Sequence, residues 1–356
     1  MLTMNTMNDL DQLRSQITFP PHASAKYVWE ELMKRGWKVR VLRSEAEKLY
    51  VLTTVEKNGQ KFIISELQHQ LYTPLNDRQS YFLTANKSHT QSVLEEVGLS
   101  YPKNIFTVDS GTIGQLEGYT VTNKVVVKPH ASHGGQGVGI ITRTEDLRPA
   151  VEYALTYSQF AIVQEFATGE EHRLLMIDGK LAAAFRCRPA SVRGDGVSTV
   201  LQLIEKKNEA KTSTEYQGTR SKIRISRAVS FMGEKGLDWV PLPDELVILD
   251  TISNISFGGD AIDATEKVSS KLIDKVSNLC KMTSLGVVGV DVISPDISSD
   301  DISTHLITEI NGCPGLRPHI LIEEGVSINV AIPYVDALEK YIQIRYNTEL
   351  EGTSLK

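Results

Sequence analysis

Two short apolar runs near the end of the chain constrain it most. Residues 287–294 read VVGVDVIS and residues 305–312 read HLITEING, both rich in the β-branched side chains that suit strands. The first run holds one acid, Asp291. In the second, Glu309 and Asn311 stand two residues apart, so both project from one strand face. Gly312, Pro314 and Gly315 then stop the strand and begin a turn. If the runs pair, one carboxylate faces a carboxylate and an amide. That all-oxygen set suits a hard divalent cation, for which Mg²⁺ with a nucleotide is the usual occupant. Two ordinary core strands whose polar ends reach solvent are the plainer alternative. This stretch alone leaves both readings open.

The chain of 356 residues has room for two or three packed layers or subdomains. Its 41% hydrophobic and 23% charged residues are ordinary for a globular protein. A net charge of −6 speaks against a general nucleic-acid binder, which needs a broad basic surface, but permits a local basic pocket. No apolar run approaches a membrane span, and the first residues lack the basic start and apolar core of a signal peptide. Cys187, Cys280 and Cys313 are odd in number and widely spaced, as expected of reduced thiols in a cytoplasmic protein. Cys313 has no base motif near it that would make it a nucleophile.

Read in order, residues 1–18 form a polar, flexible N-terminus, and 19–80 a small α/β unit. In that unit a helix capped by Ser24 stops at Gly36, and a hairpin turns at Asn58-Gly59. A helix capped by Thr84 or Asn86 then runs to Val97, with Lys87 in its first turn, either solvated or touching a phosphate or ribose. VVVK is a strand ending in Lys128, followed by a loop with Ser132, Gly134, Gly135, Gly137 and Gly139 and by a second strand. Glycines there let backbone N–H groups turn toward phosphate oxygens; a plain glycine-rich hairpin is the alternative. The strand IVQEF brings Gln164 and Glu165 to its end, and Asp178-Gly179 turns a second hairpin. Arg186 and Arg188 share one face of its second strand, with Cys187 on the other, fitted either to an anion or to solvent. Residues 206–227 are the most basic part, and SKIRISR alternates; such a run is usually a solvated face. There is no internal repeat and no low-complexity tract.

The order of these pieces resembles an ATP-grasp domain, in the branch that includes cyanophycin synthetase and the bifunctional glutathione synthetases. The likeness covers about residues 81–345 and rests on NKSHTQSVLEEVGLSYPK, VVKPHASHGGQGVGI, EEHRLLMIDGKLAA, PASVRGDGVSTVLQLI, FGGDAIDAT and GVDVI followed by TEINGCPGLRPH. It implies an α/β (α+β) fold with a small N-terminal domain and two subdomains clamping the nucleotide. Residues 81–163 would be the small lid subdomain with its preceding helix, 164–346 the C-terminal subdomain, and 347–356 a tail. By the same resemblance Lys87 and Lys128 contact phosphates, and the 132–138 loop, from Ser132 through Val138, closes as a lid. Gln164 and Glu165 bind adenine with Phe166 beside them, and Glu171 lies near the ribose. Asp291, Glu309 and Asn311 hold two Mg²⁺ ions, for which Mn²⁺ substitutes, and Arg317 sits where an acyl phosphate forms. Arg186 and Arg188 are the candidates for holding the acid.

The chain also departs from that branch. Cys187 stands where the branch has an arginine, a DPRRG-like segment is replaced by NEAKTSTEYQGTR, and Gln136 replaces an arginine in the loop. No Mur-ligase-like second half is seen, so cyanophycin polymerisation is not expected. The reading is an ATP-dependent carboxylate–amine ligase acting on amino acids or small peptides through an acyl phosphate. Two rivals are a ligase for a ribosomally made precursor peptide and a nucleotide-binding regulatory module without turnover. No nucleic-acid or membrane partner is expected, and homo-oligomerisation stays open.

Overall fold

The computed structural model describes residues 2–4, 24–43, 51–67, 73–85, 87–131, 136–212, 221–233 and 236–346. Its first part is built on a short strand, a helix and a hairpin. β1 (Leu2–Met4) is followed by α1 (Ala25–Lys34), β2 (Lys38–Arg43), β3 (Val51–Lys57) and β4 (Gln60–Leu67). Asn58 and Gly59 take positive φ, 53° and 76°, as a two-residue hairpin turn between β3 and β4 requires. The four strands form an antiparallel sheet in sequence order. α1 buries Ala25, Val28, Trp29 and Leu32, the stripe of an amphipathic helix.

The helix at 87–96 has a neighbour that the sequence reading missed. α2 (Arg78–Ala85) precedes α3 (Lys87–Glu96). Asp77 starts α2 by accepting the Ser80 N–H at 2.7 Å, the pattern of an N-cap. Thr84 therefore lies inside α2, while Asn86 lies outside the described residues.

A small antiparallel sheet follows: β5 (Asn104–Val108), β6 (Val125–Pro129), β7 (Gly139–Ile141) and β8 (Ala161–Glu165), in the order β5-β8-β6-β7. α4 (Thr144–Leu155) covers one face, packing Leu147, Val151 and Ala154 on Val125, Val127 and Val163. The central sheet contains β9 (Glu170–Ile177) and β10 (Lys180–Arg188), joined by a hairpin at Asp178-Gly179 with φ of 49° and 73°. Between them and the rest of that sheet the chain forms a satellite. It comprises β11 (Ser191–Arg193), α5 (Val200–Thr212), α6 (Ile225–Met232) and β12 (Leu246–Ile248), around Ile204, Ile223 and Ala228. The alternation read in SKIRISR is overridden here: α6 starts at Ile225, so Ile223 is buried and Ile225 exposed.

β13 (Asp260–Asp263), α7 (Ser270–Thr283), β14 (Val287–Ser294) and β15 (Leu306–Asn311) complete the central sheet, ordered β13-β10-β9-β14-β15 and antiparallel throughout. α7 covers one face with Leu272, Val276 and Leu279 against Leu174, Met176, Val288 and Val290. Leu94 of α3 joins this core, so α3 packs with the central sheet, while its Gln91 accepts a hydrogen bond from Asn104 of β5 at 3.0 Å. The expected division at 163/164 falls inside β8. On the other face Leu175 and Ile177 meet α1, the N-terminal sheet and α9 (Ala331–Tyr346) in a single core, beyond α8 (Arg317–Ile320). Polar contacts reinforce that junction: Arg35 donates to Asp336 at 2.6 Å and Glu339 at 2.9 Å, and Trp37 Nε1 donates to Glu339 at 2.7 Å. Among the described residues no helix is long and apolar enough to cross a membrane.

Asn76 ties the start of β14 to the turn after β15. Its amide donates to the carbonyls of Val287 and Gly312, both at 2.7 Å, and accepts the Val287 N–H at 2.8 Å. Asn76→Ala should cost about 1–3 kcal/mol, because it strands partly buried backbone groups. A urea midpoint unchanged from wild type would refute that bracing role.

Candidate active site

Antiparallel register decides which polar side chains meet. On β9 Arg173 stands opposite Asp291 of β14, and Asp291 in turn stands opposite Glu309 of β15. Gly289 faces Asn311 in the same ladder. Side chains directly opposite one another share a face. One row across three strands therefore presents Arg173, Asp291 and Glu309, with Glu171 and Asn311 two residues along their strands. The β14–β15 register shifts beside Asp291, a bulge of the kind that re-aims side chains next to active sites. Gly289 has no side chain for a reason: a Cβ there would lie 3.0 Å from Pro314 Cβ and 3.2 Å from Arg173 Cδ.

Arg173 grips Asp291 with two parallel hydrogen bonds, from Nε and from Nη2, the latter at 2.6 Å. Asp291 is buried and Glu309 exposed. Asn311 accepts the Cys313 N–H at 2.8 Å, which shapes the following turn. Burial pushes the Glu171 carboxyl up to about 7, aided by the Asp291 and Glu309 charges and opposed by Arg173. Cys187 lies on this face too. Burial and the Glu171 and Asp291 charges hold its thiol well above the usual range, hence neutral. His319 of α8 packs on Phe185 with ring centroids 4.7 Å apart and planes tilted by 59°, and burial lowers its imidazole to about 3.

Two carboxylates and an amide oxygen on adjacent strands are hard donors that fit Mg²⁺. The Arg173 guanidinium already holds a positive charge against one of them. Among the described residues no group of three or more His, Cys, Asp and Glu side chains is arranged around a single point.

The small sheet supplies Lys128. Its ammonium donates to Gln164 Oε1 at 2.7 Å, and the Gln164 amide donates to Pro102 O at 2.8 Å and Asn104 Oδ1 at 3.0 Å. Both N–H groups of Gln164 are thus engaged. In this arrangement the Gln164 side chain holds the Lys128 ammonium. Glu165 pairs with Val125 and so projects to the α4 side. There it lines, with Phe166, Tyr119 and Lys124, a cavity of about 650 Å³. Glu165 does not share the face of Lys128.

Gly137, at the end of the expected lid, takes φ of 72°, and a Cβ there would sit 2.6 Å from Pro129 and 2.8 Å from Tyr157. Val138 beside it is exposed. Ser132, Gly134 and Gly135 lie outside the described residues, as does the side chain of Lys87, whose backbone opens α3.

The arginine pair read from the sequence is placed differently. Arg186 and Arg188 lie opposite His172 and Asp260, on the face of β10 away from Cys187 and Arg173. Arg186 is paired with Glu170. Arg188 bonds Glu324 at 2.9 Å and Asp260 at 3.2 Å. Both arginines are thus held by protein carboxylates, on the face away from Arg173. The arginine of the site face is Arg173, which the sequence reading passed over although it alternates with Glu171. Arg317 opens α8, just beyond the turn. Ser24 does not cap its own helix; its hydroxyl accepts the Leu316 N–H at 2.8 Å and the Arg317 N–H at 3.4 Å, capping α8 instead.

The family described as sugar-transfer associated ATP-grasp matches residues 66–168. A bifunctional glutathione synthetase from Pasteurella multocida shares the architecture, with a TM-score of 0.63 at 22% identity over 89% of this chain and 44% of that one. The chain has the ATP-grasp fold. By sequence this chain is 33% identical over 268 residues to the cyanophycin synthetase of Synechocystis sp., covering 72% of this chain and 30% of that protein. It is 29% identical over 322 residues to the glutathione biosynthesis bifunctional protein of Listeria innocua, covering 88% of this chain and 41% of that protein. It thus spans well under half the length of both relatives.

If Gln164 aims Lys128, Gln164→Leu should lower ATP affinity about tenfold, the loss of one hydrogen bond to a charged group. Calorimetry checks this; wild-type affinity in a variant of wild-type melting temperature would refute it.

Proposed function

We propose that this chain is an ADP-forming ligase that joins a carboxylate to an amine. The observation that carries this reading is the row Arg173–Asp291–Glu309 with Asn311, at the end of a sheet whose fold is ATP-grasp. The amino-acid and peptide products named for the sequence relatives support the substrate class, small amino acids or peptides.

A carboxylate is a poor electrophile at carbon. In the proposed reaction one of its oxygens attacks the γ-phosphorus of ATP; the bond from that phosphorus to the bridging oxygen breaks, and ADP leaves. The amine nitrogen then attacks the acyl carbon, the carbon–oxygen bond to phosphate breaks, and the amine proton leaves to water. Lys128, held by Gln164, offers its charge to the phosphates. Arg173 offers a planar fork beside the acids, and Arg317 stands at the head of α8. Asp291, Glu309 and Asn311 would hold Mg²⁺, in two ions for which Mn²⁺ substitutes. When bound, Mg²⁺ neutralises phosphate charge and orients the phosphoryl group. No protein nucleophile is needed, in keeping with a neutral Cys187 and with Cys280, whose thiol burial pushes up to about 12. Closure of the 132–138 loop would keep water from the acyl phosphate.

ADP release from Mg·ATP with mixed amino acids, and an amide product by mass, tests the reading. Glu309→Gln should lower kcat by about a hundredfold or more, since several kcal/mol of charge stabilisation depend on such a ligand. Full activity in that variant would refute the assignment. ATP binding without ADP release, whatever acid and amine are supplied, would leave a regulatory module.

A further inference from the structure

Behind the face that carries Lys128, the small sheet has a second recess that the ligase reading leaves unused. Val125 is buried against α4, and Glu165 stands directly opposite it across the β6–β8 ladder. Side chains alternate along a strand, so Val125 and Glu165 point away from the side of Lys128 and Gln164. The cavity of about 650 Å³ on this side falls within the roughly 300–1,000 Å³ of small-molecule sites.

Backbone hydrogen bonds hold its walls in place. Glu165 N–H donates to Lys103 O at 2.9 Å, Tyr119 N–H to Leu116 O at 3.2 Å, and Val121 N–H to Thr144 Oγ1 at 3.0 Å. The Tyr119 ring rests edge-on against Phe106, centroids 5.1 Å apart. Ile105, Val125, Tyr119 and Phe166 give the cavity an apolar lining. Two opposite charges stand at it as well: the Lys124 ammonium, 5.5 Å from the centre of the Phe166 ring, and the Glu165 carboxylate. They do not pair with one another, and among the described residues neither has an ion-pair partner. The side chains of Thr122, Asn123 and Thr168, which also line the cavity, likewise make no hydrogen bond there to a described residue.

These charges restrict the occupant. Covering an ammonium and a carboxylate costs free energy unless each gains a counter-charge. A neutral molecule supplies neither. A simple anion would satisfy Lys124 and meet like charge at Glu165, and a simple cation would do the reverse. The several negative charges of a nucleotide would find one lysine and one carboxylate, with Lys128 on the other side of the sheet. A molecule with one carboxylate, one ammonium and an apolar body matches the whole lining.

We propose that this cavity binds a zwitterion, an amino acid or short peptide with an aromatic or apolar side chain. Its carboxylate meets Lys124, its ammonium meets Glu165, and its side chain lies against Tyr119 and Phe166. The site is separate from the row Arg173–Asp291–Glu309 and does not rest on the ligase reading. Gln164, which holds Lys128, is the neighbour of Glu165 on β8, so the occupant sits directly behind a residue of the proposed phosphate contact.

Calorimetry on the full chain without nucleotide tests the site. The probes are L-phenylalanine and L-alanyl-L-phenylalanine, each with two analogues, one amidated at the carboxylate and one acetylated at the ammonium. Wild type should bind at least one parent about fivefold more tightly than either of its analogues, the upper end for a charge pair that solvent still reaches. Lys124→Met should remove the preference over the amide, and Glu165→Gln the preference over the acetylated form. Both side chains are exposed, so the variants should keep the wild-type melting temperature, and the analogues test the charges on wild type without any substitution. A stronger preference with phenylalanine marks an amino acid; with the dipeptide it marks a short peptide. The site is overturned if neither parent binds, if a singly charged analogue equals its parent, or if the preferences survive both exchanges. One-for-one displacement of the bound parent by Mg·ADP would overturn it too, because the cavity would then belong to the nucleotide site. Turnover enters none of these measurements, so this site and the ligase reading fail separately.

Discussion

The pairing of β9, β14 and β15 is the constraint from which the rest of the molecule follows. Antiparallel register puts Arg173, Asp291 and Glu309 in one row, and a slip of one residue would turn Asp291 into the α7 core. That slip is prevented from the other side of the sheet, where Val288, Val290 and Val292 are buried against α7. The hydrophobic face thus sets the register, and the register assembles the polar site. Neither Asp291 nor Arg173 could stay charged and covered there alone, because a buried ion without a partner is strongly disfavoured.

The N-terminal unit takes part in the site although its sheet lies elsewhere. Trp29, Trp37 and Leu32 share one core with Leu175, Ile177 and α9, so displacing that unit would expose the floor behind Arg173. Ser24 carries the coupling further by capping the four-residue helix that presents Arg317. So short a helix leaves most of its N-terminal N–H groups without internal partners, and an outside hydroxyl is what holds them.

Local chemistry was legible in the sequence. Asn58-Gly59 and Asp178-Gly179 announce turns because their backbone needs positive φ, a property of those residue types alone. Asp291 stood out for a similar reason: acids are rare inside apolar strands. Pairings between distant segments were not. The reading left Arg186 and Arg188 as candidates for an anion or for solvent, since no local rule names Glu170 or Asp260 as their partners. Arg173 was overlooked because one arginine in an alternating strand looks solvated until Asp291, 118 residues away, is set beside it. Lys211, buried with its ammonium 3.0 Å from Gly258 O, looked like part of a solvated run for the same reason. Ser24 was assigned to the nearest helix, whereas its partners lie 292 and 293 residues on.

Cys187 connects these observations. An arginine at this position, as in the branch the sequence resembles, would add a cation beside Glu171 and Asp291. The neutral thiol adds none and leaves the Glu171 carboxyl to be raised by burial and by its acidic neighbours.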